Sequence, residues 1–442
     1  MTTKTKYSYV KHQVKKLLPQ SVFAAIEPAG HLLEASAYSL RHGMPARNMR
    51  VIGVTGTNGK TTTSFMIHRM LVESGIKAGL MTTVAYGVGD DITPQIEHMT
   101  SVPPSVLNKR LAAMQKAGVE WLVLETTSHA LAQHRVWGVP YEIAVVTNVT
   151  HEHLDYHGSF EKYRAAKKKL FTRAGKNPRG FAIVNADDEA FEDYVAAAGR
   201  GESYGLKDGD LRAKNIQLGS DGSKYTAEIG DDTYAIQCHI PGEFNVYNSL
   251  AAVAVGRRVG LTEKQIEQGI DALKTVEGRM NTIDEGQAFS VIVDFAHTPD
   301  AFERLLGDLR NSTKGKLVAV FGSAGRRDEA KRAIQGEIAG KYCDEVILTE
   351  EDDRDIDGNE ILGQIAEGAE RSGKIRERDL FLVLDRPSAI QFAMTRVSSA
   401  DDTVILLGKG HEKTIERADG EHPWDELEEA RTALRKISKT AS

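Results

Sequence analysis

Short apolar, β-branched runs recur along the chain from Met49 onward and alternate with stretches whose apolar positions fall at helical spacing. The runs Val51–Val54, Trp121–Leu124, Ile143–Val146 and Phe181–Val184 read as strands, and their alternation with helical sequence predicts βαβ units around a mostly parallel sheet. Between Gly201 and Ile240 the pattern changes to short alternating segments broken by Gly-Asp and Asp-Gly turns. These predict antiparallel strands or hairpins, a strand-rich appendage of the central domain. Alternation resumes after Arg279 with Val291–Phe295, Leu317–Phe321, Val346–Leu348, Leu380–Leu384 and Val404–Leu407, so a second α/β domain begins near Met280. Near the front, Leu32, Leu33, Ala37, Tyr38 and Leu40 would form one apolar face of a helix.

The predicted class is α/β. A short basic segment covers residues 1–48, a central domain with a parallel sheet plus a small antiparallel region covers 49–278, and a Rossmann-like α/β domain covers 279–442. A length of 442 residues agrees with more than one hydrophobic core. No apolar run approaches the roughly 18 residues that would cross a bilayer, and Met1–Lys16 lacks the apolar centre of a secretory signal. Cys238 and Cys343 are far apart and form no ligand pair, which suits a reducing, cytoplasmic setting. The net charge of −6 gives no reason to bind nucleic acid, although the first fifty residues carry eight Lys/Arg against two Glu.

The strongest chemical signal is Gly56-Thr57-Asn58-Gly59-Lys60-Thr61, between a strand and the helical run Thr62–Val72. Glycines let backbone N–H groups turn toward phosphate oxygens, a helix N-terminus favours negative charge, Lys60 neutralises it, and the Thr61 hydroxyl can meet Mg²⁺. Val54 stands where the strict phosphate-loop pattern has glycine. The only Asn-Lys pair, Asn108-Lys109, lacks the acidic residue of a guanine reader. Glu125 and His153 each follow an apolar strand, which in an open parallel sheet places them at the carboxyl edge beside this loop.

Further on lie Glu125-Thr126-Thr127-Ser128-His129, Gln133-His134-Arg135, the run Thr147–Gly158 and Tyr163-Arg164-Ala165-Ala166-Lys167. With the phosphate loop, this ordered series resembles the central domain of the Mur ligase family, most closely its branch that joins an amino acid to a UDP-N-acetylmuramoyl dipeptide. The resemblance covers roughly residues 49–425 and takes in Gly242–Asn248, Glu277–Met280, Asp294–Asp300, Phe321–Asp328 and Gly408–Glu412.

The resemblance implies an ATP- and Mg²⁺-dependent ligase. Such an enzyme would transfer the γ-phosphate to a carboxylate of UDP-N-acetylmuramoyl-L-Ala-D-Glu and let the amine of L-lysine or meso-diaminopimelate attack the acyl phosphate. It implies catalytic roles for Lys60, Glu125, His153 and Lys167, and metal contacts from Thr61, Glu125, His153 and a Lys167 carbamylated by CO₂. Carbamylation needs a neutral amine, and the neighbouring Lys168 and Lys169 lower a lysine pKa in that direction. It further implies nucleotide contacts from Gly56 to Thr62 and from Asn245, Asn248, Arg279, Asp294 and His297. The muramoyl peptide would meet Thr127, Gln133 and Arg135, with Thr100 and Ser101 as weaker candidates, and the amino acid would meet Arg354, Gly408 and Glu412.

Two departures bear on the substrate. Glu351-Asp352-Asp353-Arg354 stands where diaminopimelate-adding relatives carry Asp-Asn-Pro-Arg, so Arg354 would suit an extra carboxylate and the acidic residues a second amine. The front of the chain is shorter than the family's uridine-binding domain, and its basic segment could grip a diphosphate, a membrane surface or a partner protein, or pack as a helix on the central domain. A folate- or poly-γ-glutamate-type amide ligase and a nucleotide-binding scaffold without catalysis stay open beside the ligase reading.

Overall fold

The computed structural model describes residues 20–95, 100–150, 152–219 and 221–440. The docking role considered for Met1–Lys16 falls outside these residues.

The central sheet has eleven strands: β1 (Arg50–Thr55), β2 (Ala78–Met81), β3 (Ala85–Val88), β4 (Asp91–Pro94), β5 (Trp121–Glu125), β6 (Tyr141–Val146), β7 (Phe181–Asn185), β8 (Gly201–Gly205), β9 (Leu211–Gly219), β10 (Gly222–Ile229) and β11 (Asp232–Cys238). Their spatial order is β11-β10-β9-β8-β7-β6-β1-β5-β2-β3-β4. From β9 to β2 neighbouring strands pair in parallel, and antiparallel pairs close both ends. Strands β5 and β6 are buried at every position, as parallel strands covered on both faces must be. One face is covered by the helices Lys60–Glu73, Glu243–Val259 and Glu263–Asp271, and the other by Pro104–Lys116, Phe160–Ala174 and Phe191–Ala198.

Three details differ from the sequence reading. The segment from Gly201 begins with β8 parallel to β7, and β9–β11 extend the main sheet instead of standing apart from it. The opposite edge carries the β3–β4 hairpin, whose four-residue strands, broken by Gly87 and Pro94, are too short to set up a strand pattern. The helix Gln20–Arg41 exists and packs on Pro104–Lys116, but through small residues: Ala35 and Ser39 are buried, whereas Leu33 is 70% and Leu40 58% exposed. Close approach explains the choice, since a Cβ on Gly138 would lie 2.8 Å from Ser39 Oγ, leaving no room for a leucine there.

The second sheet is β12 (Asn281–Ile283), β13 (Ser290–Asp294), β14 (Leu317–Phe321), β15 (Glu345–Leu348), β16 (Leu380–Leu382) and β17 (Thr403–Leu407), ordered β12-β13-β17-β14-β15-β16 and parallel except for β12. A small hairpin, β18 (Thr414–Arg417) with β19 (Gly420–Pro423), follows. Thr298 caps the helix Pro299–Ser312 by accepting from Ala301 N, with proline at its first position, a start signal that sets the helix beside the end of β13. Fully buried Arg386 is held by Glu426 through bonds of 3.0 and 2.6 Å and by the carbonyls of Glu350 and Leu407, locking the C-terminal helix onto this sheet.

Candidate active site

The phosphate loop joins β1 to the helix Lys60–Glu73 at the carboxyl edge of the sheet, where an open parallel sheet binds ligands. Gly59 caps the helix at φ 80°, and Gly56 turns at φ 151°; a Cβ on either would overlap Asn248 Oδ1 or Thr147 Oγ1 respectively. Asn148 braces the loop from β6: its carbonyl accepts from Thr57 N at 2.7 Å and its side chain accepts from Asn58 N at 3.0 Å. Thr57 Oγ1 lies 3.0 Å from Tyr163 OH, and Lys60 Nζ donates to Thr57 O at 2.7 Å.

Glu125 ends β5 and is buried directly behind the loop. Its carboxylate accepts from Thr61 Oγ1, Thr83 N and Thr83 Oγ1, each at 3.0 Å. Arg279 reaches across from the start of the second domain and donates to Thr61 Oγ1 at 3.3 Å. A hydroxyl, a carboxylate and a guanidinium therefore meet at the first turn of the loop helix.

Lys167 projects from the helix Phe160–Ala174 to within 2.5 Å of Gly56 O and is 1% exposed. Burial, and then the charge of Lys60, push its pKa far down. The lowered pKa anticipated from sequence thus has a different origin: desolvation and the loop lysine replace Lys168 and Lys169 as the cause. His153 adopts φ 56°, lies 3.6 Å from Glu152 and packs edge-on to His129 at 4.6 Å. Among the described residues no three His, Cys, Asp or Glu side chains gather into a metal cluster. Thr61 and Glu125 are brought together, while Lys167 and His153 make their contacts elsewhere.

Ser101, Thr127, Gln133 and Arg135 form one network. Thr127 donates its N and Oγ1 to Ser101 Oγ at 3.2 and 3.1 Å, Arg135 donates to Ser101 O at 2.7 Å and to Gln133 Oε1 at 2.8 Å, and Gln133 donates to Tyr156 OH at 3.0 Å. Thr100 and Ser101 border a small cavity shared with Thr82 and Leu124.

A cleft of about 420 Å³ opens between the two sheets, lined by Asn58, Gly59 and Thr62 on the loop side and by Arg279, Asp294 and His297 on the other. Asp294 accepts from Met280 N at 2.8 Å and Ala296 N at 2.7 Å, and its burial raises its pKa against the pull of Arg279. His297 is held neutral by burial, its pKa lowered to about 4, with Nδ1 2.8 Å from Phe295 O. Asn245 and Asn248 also border the cleft, yet their amides are engaged within the protein. Asn245 donates to Pro241 O at 2.6 Å, Asn248 donates to Asn245 Oδ1 at 2.8 Å, and Asn248 Oδ1 accepts from Thr63 at 3.2 Å.

Arg354 is likewise occupied, donating to Glu416 Oε2 at 2.8 Å and to Gly325 O. Fully buried Lys409 joins Glu412 at 2.6 Å and Asp352 at 2.8 Å. Gly408 packs so closely on Glu351 that a Cβ would lie 2.5 Å from its Oε2.

The sequence reading overlooked Thr83, Asn148, Tyr163 and Asp300 as parts of the site. Asn148, Tyr163 and Asp300 lie inside the quoted segments and could have been picked out; Thr83, in a loop without a motif, gave no signal.

Residues 54–256 match the family described as Mur ligase middle domain, and residues 278–410 that described as Mur ligase, glutamate ligase domain. The chain is 40% identical to a UDP-N-acetylmuramyl-tripeptide synthetase of Roseiflexus sp., over 90% of this chain and 80% of that protein. It is 37% identical to a UDP-N-acetylmuramoyl-L-alanyl-D-glutamate–2,6-diaminopimelate ligase of Syntrophomonas wolfei, over 86% of this chain and 76% of that protein. A solved structure of a ligase of the latter name aligns with a TM-score of 0.64 at 28% identity, covering 93% of this chain and 83% of its own. On these matches and on a phosphate loop backed by Glu125 and bridged by Arg279, the chain belongs to the Mur ligase family.

Proposed function

We propose that this chain couples ATP cleavage to amide bond formation on UDP-N-acetylmuramoyl-L-Ala-D-Glu, adding a diamino acid in the synthesis of a peptidoglycan precursor. The observation that carries this reading is the meeting of Thr61, Glu125 and Arg279 at the loop, where one residue from the second domain completes a phosphate site built on the first. Its setting would be the cytoplasm, where its nucleotide substrates are made; no helix among the described residues is long and apolar enough to cross a membrane. A division into 1–48, 49–278 and 279–442 places Arg279 at the join, where domain closure would move it.

The polyphosphate would lie along Gly56–Thr62 with Lys60 redirected from Thr57 O to the β- and γ-phosphates, and the adenosine would occupy the cleft before Asn245, Asn248, Asp294 and His297. The substrate carboxylate attacks the γ-phosphorus in line, ADP departs, and an acyl phosphate remains. Arg279 and Lys60 stabilise the charge gathering on the transferred group. Arg135, Gln133, Thr127, Ser101 and Thr100 would orient the muramoyl peptide.

Magnesium takes hard oxygens and keeps several of its waters, and the adjacent Thr61 hydroxyl and buried Glu125 carboxylate suit it, with His153 and a carbamylated Lys167 as further ligands. When bound, the ion supplies charge neutralisation on the phosphate oxygens. The lowered pKa of Lys167, beside Gly56 O, favours the neutral amine that carbamylation needs.

The amino acid would sit by Gly408, Glu412 and Arg354. The Arg354 guanidinium is spent on Glu416 and Gly325, and Lys409 on Asp352 and Glu412, so charge favours an amine at the far end of the amino acid, as in lysine, over a lone carboxylate. Diaminopimelate, which carries both groups, is the second reading, supported by the names of similar proteins. The test is phosphate release from ATP with Mg²⁺ and UDP-N-acetylmuramoyl-L-Ala-D-Glu, adding lysine or meso-diaminopimelate in parallel and weighing the product. Amide with one of them supports the reading and names the amino acid; product with neither overturns it.

A further inference from the structure

Of the segment Gly408–Glu412, the proposed reaction uses Gly408 and Glu412 and leaves His411 without a task. His411 packs on Phe295 with ring centroids 4.7 Å apart, and the Arg279 guanidinium lies 4.8 Å from the centroid of the same ring. The backbones converge too: Phe295 N donates to Gly278 O at 3.0 Å, and a Cβ on Gly278 would overlap the His411 amide nitrogen. Phe295 is thus a hub on which both the imidazole of the amino-acid loop and the guanidinium that touches Thr61 of the phosphate loop pack.

Two atoms on this hub are buried with no hydrogen-bond partner among the described residues: Arg279 Nε and His411 Nδ1. Burying a polar group without a partner forfeits its hydrogen bond to water, so a pair of them packed on one ring points to a ligand atom that completes both. Arg279 Nε–H can only donate. Burial together with the charges of Arg279, Lys409 and Lys413 keeps the imidazole neutral, and in its Nδ1–H tautomer it donates as well. Two unpartnered donors packed on one ring, on segments that carry a phosphoryl site and an amine site, fit an oxygen that gains negative charge.

We infer that Arg279 Nε–H and His411 Nδ1–H bind the oxyanion of the tetrahedral intermediate in amide formation, which makes His411 a catalytic residue; the inference rests on the ligase reading above. The amine lone pair forms the C–N bond, and the carbonyl π pair moves onto oxygen, where the two N–H groups receive it. The pair then returns, the bond from carbon to the phosphate oxygen breaks, and phosphate leaves with that bond's electrons and takes the proton shed by nitrogen. Acyl phosphate and amine thereby become amide and hydrogen phosphate with no other reactant.

The two half-reactions separate the possibilities. Oxygen scrambling in β-¹⁸O-labelled ATP, incubated with the carboxylate substrate and no amine, reports acyl phosphate formation; amide product with amine present reports the second step. In His411→Phe, scrambling should stay within about threefold of the parent while amide formation falls about 100-fold, the usual loss for an oxyanion donor. His411→Asn, whose amide can donate from a similar place, should recover about tenfold of that loss. Amide formation by His411→Phe within about threefold of the parent, or scrambling that falls in step with amide formation, overturns the inference. Absence of product from the parent with either amino acid overturns the ligase reading instead, whatever the variants do.

Discussion

Asn58 Nδ2 donates to Asp300 Oδ2 across 2.7 Å, so the middle of the phosphate loop is tied to the first turn of the helix that opens the second domain. Asp300 also meets Arg304 on the next turn at 3.2 Å. One such hydrogen bond is worth a net 0.5–1.5 kcal/mol, which predicts about a two- to tenfold loss of kcat/KM for ATP in Asp300→Ala. Asp300→Asn should lose less, because its amide oxygen still accepts. Steady-state kinetics with varied ATP check this, and a gain on breaking the tie would show that it holds the domains in an unproductive arrangement.

Glu125 accepts three hydrogen bonds from Thr61 and Thr83 in a buried position. Glu125→Gln preserves the shape and removes the charge, so ADP release that depends on both substrates should fall on the order of 100- to 1000-fold with the fold intact. Lys60→Ala should abolish it. Turnover at the parent rate in either variant would detach these residues from the chemistry.

Lys167 gives a pH signature. Its pKa is depressed in the folded protein and ordinary in the unfolded chain, so between the two values the unfolded state binds more protons and stability rises with pH. Lys167→Met lacks this contribution. In buffer purged of CO₂, its stability advantage over the parent should shrink as pH rises, with a slope of at most about 1.4 kcal/mol per pH unit. Denaturant melts across neutral to alkaline pH measure the difference, and parallel curves would mean the lysine is charged in place. With ¹³C-bicarbonate, a carbamate carbon resonance should appear in the parent and be absent from Lys167→Met.

Gly59 holds φ 80° with its α-carbon against Asn248. Gly59→Ala adds both backbone strain and an overlap, which predicts a destabilisation of about 1–3 kcal/mol. ATP binding should weaken too, since Asn248 must move and carries Thr63 and Asn245 with it. Urea unfolding alongside nucleotide titration checks both effects, and an alanine variant of parental stability would show that Asn248 yields freely.

Strand periodicity and the spacing of glycines in the phosphate loop are local properties, and the chain alone was enough to place β1, β5, β6, β7 and the parallel strands β13 to β17 of the second sheet within a residue or two, though not the antiparallel β12. The ordered segments from Gly56 to Glu412 also carried the family, because each keeps its chemistry in consecutive residues. Contacts between distant segments were decided only by folding. Sequence could not show that Ala35 and Ser39, not the leucines beside them, face the central domain, because that depends on how closely a neighbouring backbone approaches. Nor could it show that the Lys167 pKa is lowered chiefly by burial, that Asn248 accepts from Thr63 in the loop helix, or that Arg354 is already paired with Glu416. Desolvation and hydrogen-bond competition depend on every group within a few ångströms, and in this chain those groups come from segments as far apart as Thr61 and Arg279.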